Sequence, residues 1–352
     1  MLTGSFVKHR LHFKQPSGTS RGILTGKNSW YLVIYDSENP GIKGVGECSI
    51  ITGLSIDDLP GFENKLKKVI SDINNYSYWL NEGLTDFPAI RFGLETALKD
   101  IETGGRRLLF PSGFTENISG IPINGLVWMG SYDFMRKQII EKINAGFRCI
   151  KLKIGAINFE DELKLLKLIR TDFNENELEL RVDANGAFSP EEAPEKLKRL
   201  DKIGLHSIEQ PIRAGQWEEL AKLCETTPLP IALDEELIGI SDKNKIIKML
   251  ETIRPQYIIV KPGLLGGFRE SEIFIAEAEK RSIGWWVTSA LEGNIGLNAI
   301  AQWAFTLDNP MPQGLGTGQV FSDNIPSPLY IRNAALWYDP EKKWNLSHIF
   351  HE

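Results

Sequence analysis

The chain has 352 residues, of which 42% are hydrophobic and 24% charged, with a formal net charge of −6. This is the composition of a globular protein with room for a barrel and a smaller companion domain. There is no basic footprint for nucleic acid or for an anionic membrane surface, and no apolar run suited to a leader or a membrane span. Cys48, Cys149 and Cys224 lie far apart, which argues against disulfides or a thiolate metal site and suits a reducing cytoplasm. The five histidines show no metal-ligand spacing, so any metal would be held by carboxylates.

Residues 1–115 read as an α+β domain. FVKHRLHF and WYLVIYDSENPGIKGVGECS form strands of a meander with ENPG as a turn, and helical patterns follow at LPGFENKLKKVISDINN and AIRFGLETALKDIETGG. From Ile121 strands and helices alternate: IPINGLV, CIKLKIG, LELRVDANG, SIEQPI, LPIALDEE, YIIVKPG and GWWVTSALEG, each followed by a helical stretch, with GLGTGQ as the last strand. The rhythm predicts an α/β fold, a (β/α)7β-type TIM barrel over residues 116–322. The segment 323–352 breaks the rhythm and is expected to return to and complete the N-terminal capping domain.

Charged residues recur at the ends of these apolar runs. Asp183, Glu209, Asp234 and Lys261 are 25 to 27 residues apart, and Lys151 and Lys153 stand one unit upstream. A βα unit is about 30 residues long, and the C-terminal ends of barrel strands are where catalytic groups belong. With IPINGLV as the first strand, Lys153 lies on the second and Lys261 on the sixth, diametrically opposite. Asp183, Glu209 and Asp234 line the wall between them. Three hard oxygen donors on adjacent strands suit Mg²⁺, with Mn²⁺ able to replace it. Lys151 and Lys153 share a face, so each is expected to disfavour the other's charge and lower its pKa into the range of a base. The chemistry expected is abstraction of a proton α to a carboxylate of a small-molecule substrate, by Lys153 from one face with Lys261 on the other.

KLKIG, DANG, EQP, DEE and VKPG, in this order and spacing, resemble the muconate-lactonizing-enzyme subgroup of the enolase superfamily across nearly the whole chain. Lysine with Mg²⁺ is a known arrangement of enolase-type sites, and the proton abstraction expected of Lys153 follows that pattern. The resemblance implies Asp183, Glu209 and Asp234 as Mg²⁺ ligands, Lys153 and Lys261 as the catalytic pair, and an N-terminal domain that caps the barrel mouth. PSGTSRG, TSALEGNIGLNAIAQWAF and GLGTGQVFSDNIPSPL point within the subgroup to a dehydratase acting on a ring carboxylate with a succinyl arm. Racemisation of an N-succinylamino acid and epimerisation of a dipeptide are the rivals, although the Asp-x-Asp of dipeptide epimerases is missing from GTGQVFSDN.

Around this core, Lys151, Asn185 and Glu236 are expected to support the site, with Glu235 pointing away. Arg21, Ser289 and the backbone N–H groups of Gly314 and Gly316 are candidate substrate contacts, although a loop arginine is usually solvated. Gly293 stands where many members of the subgroup have Ser. Glu47 is expected at the cap–barrel boundary in a structural role, and His206 on the surface. One of Trp285 and Trp286 should pack inside the barrel and the other under a helix. Gly266–Gly267 reads as a plain helix start in preference to a phosphate-binding turn. The sequence leaves self-association open.

Overall fold

The computed structural model describes residues 1–19 and 22–350. Three strands, β1 (Leu2–Thr19), β2 (Gly22–Asp36) and β3 (Asn39–Ser49), form an antiparallel meander in the order β1-β2-β3. The alternation in β2 buries both faces of this central strand. Trp30, Leu32 and Ile34 pack with Leu66, Ile90 and Leu94 from the helices Phe62–Ser71 and Pro88–Glu102. Tyr31 and Val33 face the other way, onto Ile295, Ile325 and Ile349. The helix Pro88–Glu102 lies so close on β3 that a β-carbon on Gly46 would meet the Gly93 carbonyl oxygen at 1.8 Å.

The reading of IPINGLV as one strand is corrected. Ile121–Pro122 is β4, and Gly125–Val127 is β5. Pro122 has no N–H to give a ladder, and β4 is the edge of a separate sheet with the C-terminal hairpin β12 (Leu329–Arg332) and β13 (Ala335–Tyr338). The barrel proper runs β5, β6 (Cys149–Lys153), β7 (Glu179–Asp183), β8 (Ser207–Glu209), β9 (Ile231–Leu233), β10 (Tyr257–Val260) and β11 (Gly284–Val287). These seven pair in chain order, all parallel, with helices between them. The glycine-rich GLGTGQ makes no regular eighth strand. Single parallel bridges, Ile123 to Gln313 and Thr288 to Gly314, close the gap there, and a 3-10 turn follows at Thr317–Val320. The fold is a capped (β/α)7β barrel. Beyond β13, Trp344, Leu346, Ile349 and Phe350 pack on the cap sheet beside Tyr31, Val33 and Val45.

Among the described residues no helix is long and apolar enough to cross a membrane. At the N-terminal end of the barrel, His206 is half-buried and not, as expected, fully solvated: its ring lies 5.0 Å from that of Tyr257 and 6.3 Å from that of Trp286. Trp286 faces inward with Ala232 and Ile259 and carries the Arg181 guanidinium 4.2 Å from its ring, whereas Trp285 joins the core beneath the helices.

Candidate active site

Strand register builds the site. Lys153 on β6 is level with Asp183 on β7, and Asp183 is level with Glu209 on β8. Asp234 directly follows β9, and Lys261 directly follows β10 at the head of the short helical turn Pro262–Leu265. All five side chains are nearly or fully buried at the C-terminal strand ends. Lys153 Nζ donates to Asp183 Oδ2 at 2.5 Å and to Asn185 Oδ1 at 2.8 Å. Lys151 Nζ donates to Asp183 Oδ2 at 3.0 Å and to Glu209 Oε2 at 2.6 Å. From the opposite wall Lys261 Nζ donates to Asp234 Oδ2 and lies 4.0 Å from Glu209 Oε1. The opposed lysines thus reach one continuous row of carboxylates.

Electrostatics within the row are uneven. Burial and the negative charges of Asp183 and Asp234 push the Glu209 carboxyl well above its ordinary range. Burial also opposes ionisation of Asp183, but Lys151 and Lys153 outweigh it and hold this group low; Lys261 does the same for Asp234. The expectation that neighbouring lysines lower each other's pKa fails for Lys151. Burial disfavours its charge, yet Asp183 and Glu209 overcome that and raise it. Lys261 is likewise raised, by Asp234 and Glu209 against burial.

Among the described residues no three acidic, histidine or cysteine side chains are already drawn together as a metal cage; lysine ammonium groups bridge the carboxylates. The donor set still fits a hard divalent cation. Glu209 Oε1 and Asp234 Oδ1 are buried without a hydrogen-bond donor, and the mutual repulsion at Glu209 is what a cation would relieve.

The surrounding residues fall out less evenly. Asn185 supports Lys153 through its side chain and Asp183 Oδ1 through its N–H at 3.0 Å, with a left-handed backbone at φ 45°. The face assignment of Glu235 and Glu236 is corrected. The strand ends at Leu233 and residues 235–237 form a 3-10 turn, so alternation no longer applies. Glu235 Oε1 accepts from Asn185 Nδ2 at 3.0 Å, on the site side. Glu236 turns to Gly215 N at 2.8 Å and Gln210 Nε2 at 3.3 Å. Gln210, which the sequence reading missed, joins these elements: it is fully buried at φ 39°, and its Oε1 accepts from the N–H groups of Asp234 and Glu236 at 3.2 and 3.3 Å. A glutamine directly after Glu209 was the only signal available.

Ser289 Oγ donates to Glu292 Oε2 and meets Thr317 Oγ1, both at 2.7 Å. Gly314 N–H donates to the Val287 carbonyl at 2.8 Å, which removes it as a carboxylate donor; a β-carbon there would also collide with Thr288. Gly316 lies over Ile123 and Asn124. Arg21 lies outside the described residues. At the Gly266–Gly267 turn the helix start is met by Glu95 of the cap, whose carboxylate accepts from Phe268 N–H at 2.7 Å.

A capped parallel barrel with carboxylates and opposed lysines at its mouth defines a class, and the comparisons agree with it. The chain belongs to the enolase superfamily: the family described as "Enolase C-terminal domain-like" matches residues 135–337. It is 47% identical to an o-succinylbenzoate synthase from Desulfotalea psychrophila (strain LSv54 / DSM 12343), over 94% of this chain and 98% of that protein. The crystal structure of MenC from Desulfotalea psychrophila LSv54 matches with a TM-score of 0.85 at 43% identity, covering 96% of this chain and 99% of that one. The L-Ala-D/L-Glu epimerase from Bacillus subtilis, with a TM-score of 0.80 at 18% identity over 95% of each chain, shares the fold alone. The chain is therefore an enzyme of this superfamily, similar over nearly its whole length to a carbon–oxygen lyase.

Proposed function

We propose that this enzyme is an o-succinylbenzoate synthase of menaquinone biosynthesis. It would dehydrate 2-succinyl-6-hydroxy-2,4-cyclohexadiene-1-carboxylate by syn elimination in the cytoplasm. The 47% identity to the Desulfotalea synthase supports the substrate. The observation that carries the chemistry is the convergence of Lys153 and Lys261 from opposite strands on one buried row, Asp183–Glu209–Asp234.

When bound by Asp183, Glu209 and Asp234, Mg²⁺ supplies positive charge that makes the proton α to a carboxylate more acidic. Lys153 takes that proton: its Nζ lies at the barrel mouth, held by Asp183 and Asn185. The C–H pair becomes an enediolate, whose collapse expels the hydroxyl from the neighbouring ring carbon. Lys153, now protonated, returns the proton to that hydroxyl, and water leaves as the ring becomes aromatic. Lys261 stays protonated, as its raised pKa favours, and faces the developing negative charge from the other side. Lys151 holds Asp183 and Glu209 in register beneath.

N-Succinylamino acid racemisation is the second reading, supported by 36% identity over 45% of this chain to such a racemase from Thermus thermophilus. In it both lysines act as bases. A spectrophotometric assay with the cyclohexadiene carboxylate, with and without Mg²⁺ and beside Lys153→Ala, separates the two. Metal-dependent o-succinylbenzoate, lost in the variant, supports the synthase. No product, with α-deuterium exchange into N-succinylamino acids instead, overturns the synthase in favour of the racemase.

A further inference from the structure

A buried polar cluster outside the carboxylate row joins cap to barrel. Lys27 of β2 is only 7% exposed, which is costly for an ammonium. Its Nζ donates to Ser49 Oγ on β3 and, at 2.8 Å, to the carbonyl of Leu291 in the loop after β11. Glu292 and Glu47 supply the charge that attracts it. Leu291 has φ 61°, a left-handed conformation that a leucine avoids and that persists only where its surroundings enforce it.

The next residue carries the contact inward. Glu292 is fully buried; its Oε2 accepts from Ser289 Oγ at 2.7 Å and Ala290 N–H at 2.6 Å. Its Oε1 has no donor and occupies the place of a β-carbon on Gly263, which would meet it at 2.3 Å. Gly263 belongs to the turn Pro262–Leu265 that begins immediately after Lys261. A continuous path therefore runs from the β1–β2 hairpin through Lys27, Leu291 and Glu292 to the backbone that aims Lys261.

We infer that Lys27 is a positioning residue that holds the loop 289–293 in its strained form and, through Glu292, fixes the turn behind Lys261. Seating of the cap hairpin and alignment of Lys261 then become one event. The catalytic part of this inference rests on the role of Lys261 proposed above. The mechanical part does not.

The test compares wild type, Lys27→Met, Lys27→Arg and Ser49→Ala, all with Mg²⁺ present. Hydrogen exchange is followed by mass spectrometry beside steady-state turnover of the cyclohexadiene carboxylate. In Lys27→Met, exchange is expected to quicken in 289–297 and 262–266 while β7 to β9 stay protected. The expected kcat falls about tenfold or more with KM changing less than about threefold, as for a misplaced catalytic group. Lys27→Arg should restore part of both, and Ser49→Ala should give the same pattern more weakly, which covers a Lys27→Met protein that does not fold. Unchanged exchange in both segments overturns the inference, as does faster exchange across the whole cap. Wild-type protein that turns over nothing would overturn the proposed function, while the exchange pattern would still decide the role of Lys27.

Discussion

Glu47 of the cap and Gly293 of the barrel meet at one carboxylate. Gly293 N–H donates to Glu47 Oε1 at 2.7 Å, Gly296 N–H to Oε2 at 2.9 Å, and the Ser29 hydroxyl to Oε1 at 2.7 Å. The helix Asn294–Thr306 thus starts on an anion supplied by the other domain. A β-carbon at 293 would come within 3.1 Å of both Glu47 oxygens and of the Tyr31 hydroxyl, which accounts for glycine where many members of the subgroup carry serine. Glu95 repeats the device one unit earlier, accepting from Phe268 and Arg269 N–H at the start of Phe268–Glu279. Two consecutive barrel helices therefore begin on cap carboxylates, and the cap body is anchored beside Lys261.

Glu47→Ala should accordingly destabilise the protein. It leaves two backbone donors and a hydroxyl buried without an acceptor, at roughly 1–3 kcal/mol for each group that finds no water. The expected loss is about 3 kcal/mol by chemical denaturation, with Glu47→Gln losing less. Gly293→Ala should cost about 1 kcal/mol, because the neighbours must yield a few tenths of an ångström. A Glu47→Ala protein within about 0.5 kcal/mol of wild type would remove the anchoring argument.

Lys153→Ala and Lys261→Ala should each abolish most turnover without unfolding the barrel. A positioned base contributes about 10²–10⁴-fold, and losses of that size in kcat are expected for Lys153→Ala. Solvent exchange of the substrate's α-proton should stop in Lys153→Ala. If Lys261 only stabilises charge, exchange should persist, though slowed, in Lys261→Ala. Equal loss of exchange on both faces would instead make both lysines bases and favour the racemase reading.

The row of carboxylates and lysines was legible in the sequence because parallel strands place each C-terminal end at the same height, so a repeat near one βα unit becomes a ring of side chains. The parallel βα rhythm and the three-stranded cap meander were legible too, from a period of one βα unit and a period of two residues, whereas the eighth strand expected at GLGTGQ is reduced to single bridges. What was not legible lay where period stops carrying information. Glu235 and Glu236 exchange faces because a 3-10 turn replaces the strand after Leu233. Pro122 diverts half of an apparent strand to another sheet. His206 looked solvent-facing because nothing local shows that Tyr257 and Trp286 converge on it from two later strands. Glu47 was placed at the cap–barrel boundary, but nothing local shows its acceptor role towards Gly293 and Gly296, 246 and 249 residues away, nor the contact of Lys27 with Leu291, 264 residues away.

Metal dependence should be visible without any substrate. A cation that binds only the folded protein stabilises it by about 2.7 kcal/mol at a hundred times its dissociation constant. Mg²⁺ is therefore expected to raise the melting temperature of wild type, with EDTA reversing the rise. Glu209→Gln and Asp234→Asn should abolish most of this shift while themselves folding, since each removes one member of a mutually repelling set. A full Mg²⁺ shift in both variants would exclude these residues as ligands.

Asp57 offers a pH test away from the barrel site. It is fully buried, its Oδ2 accepts from Ala89 N–H at 2.8 Å near the start of Pro88–Glu102, and burial pushes its pKa up to about 7 against that bond. In the unfolded chain an aspartate titrates near 3.9. Between about pH 4 and 7 the folded state therefore binds more protons than the unfolded state, and by linkage stability falls as pH rises through that window and levels off above it. A shift of about three units corresponds to about 4 kcal/mol as an upper bound. Asn at this position can keep the acceptor for Ala89 without titrating. Denaturation of wild type and Asp57→Asn at pH 5 and pH 8 should show a smaller loss of stability in the variant, with the two curves drawing together at low pH. Parallel curves across the window would mean that the carboxyl ionises in the folded cap with no penalty, and that the burial argument is wrong.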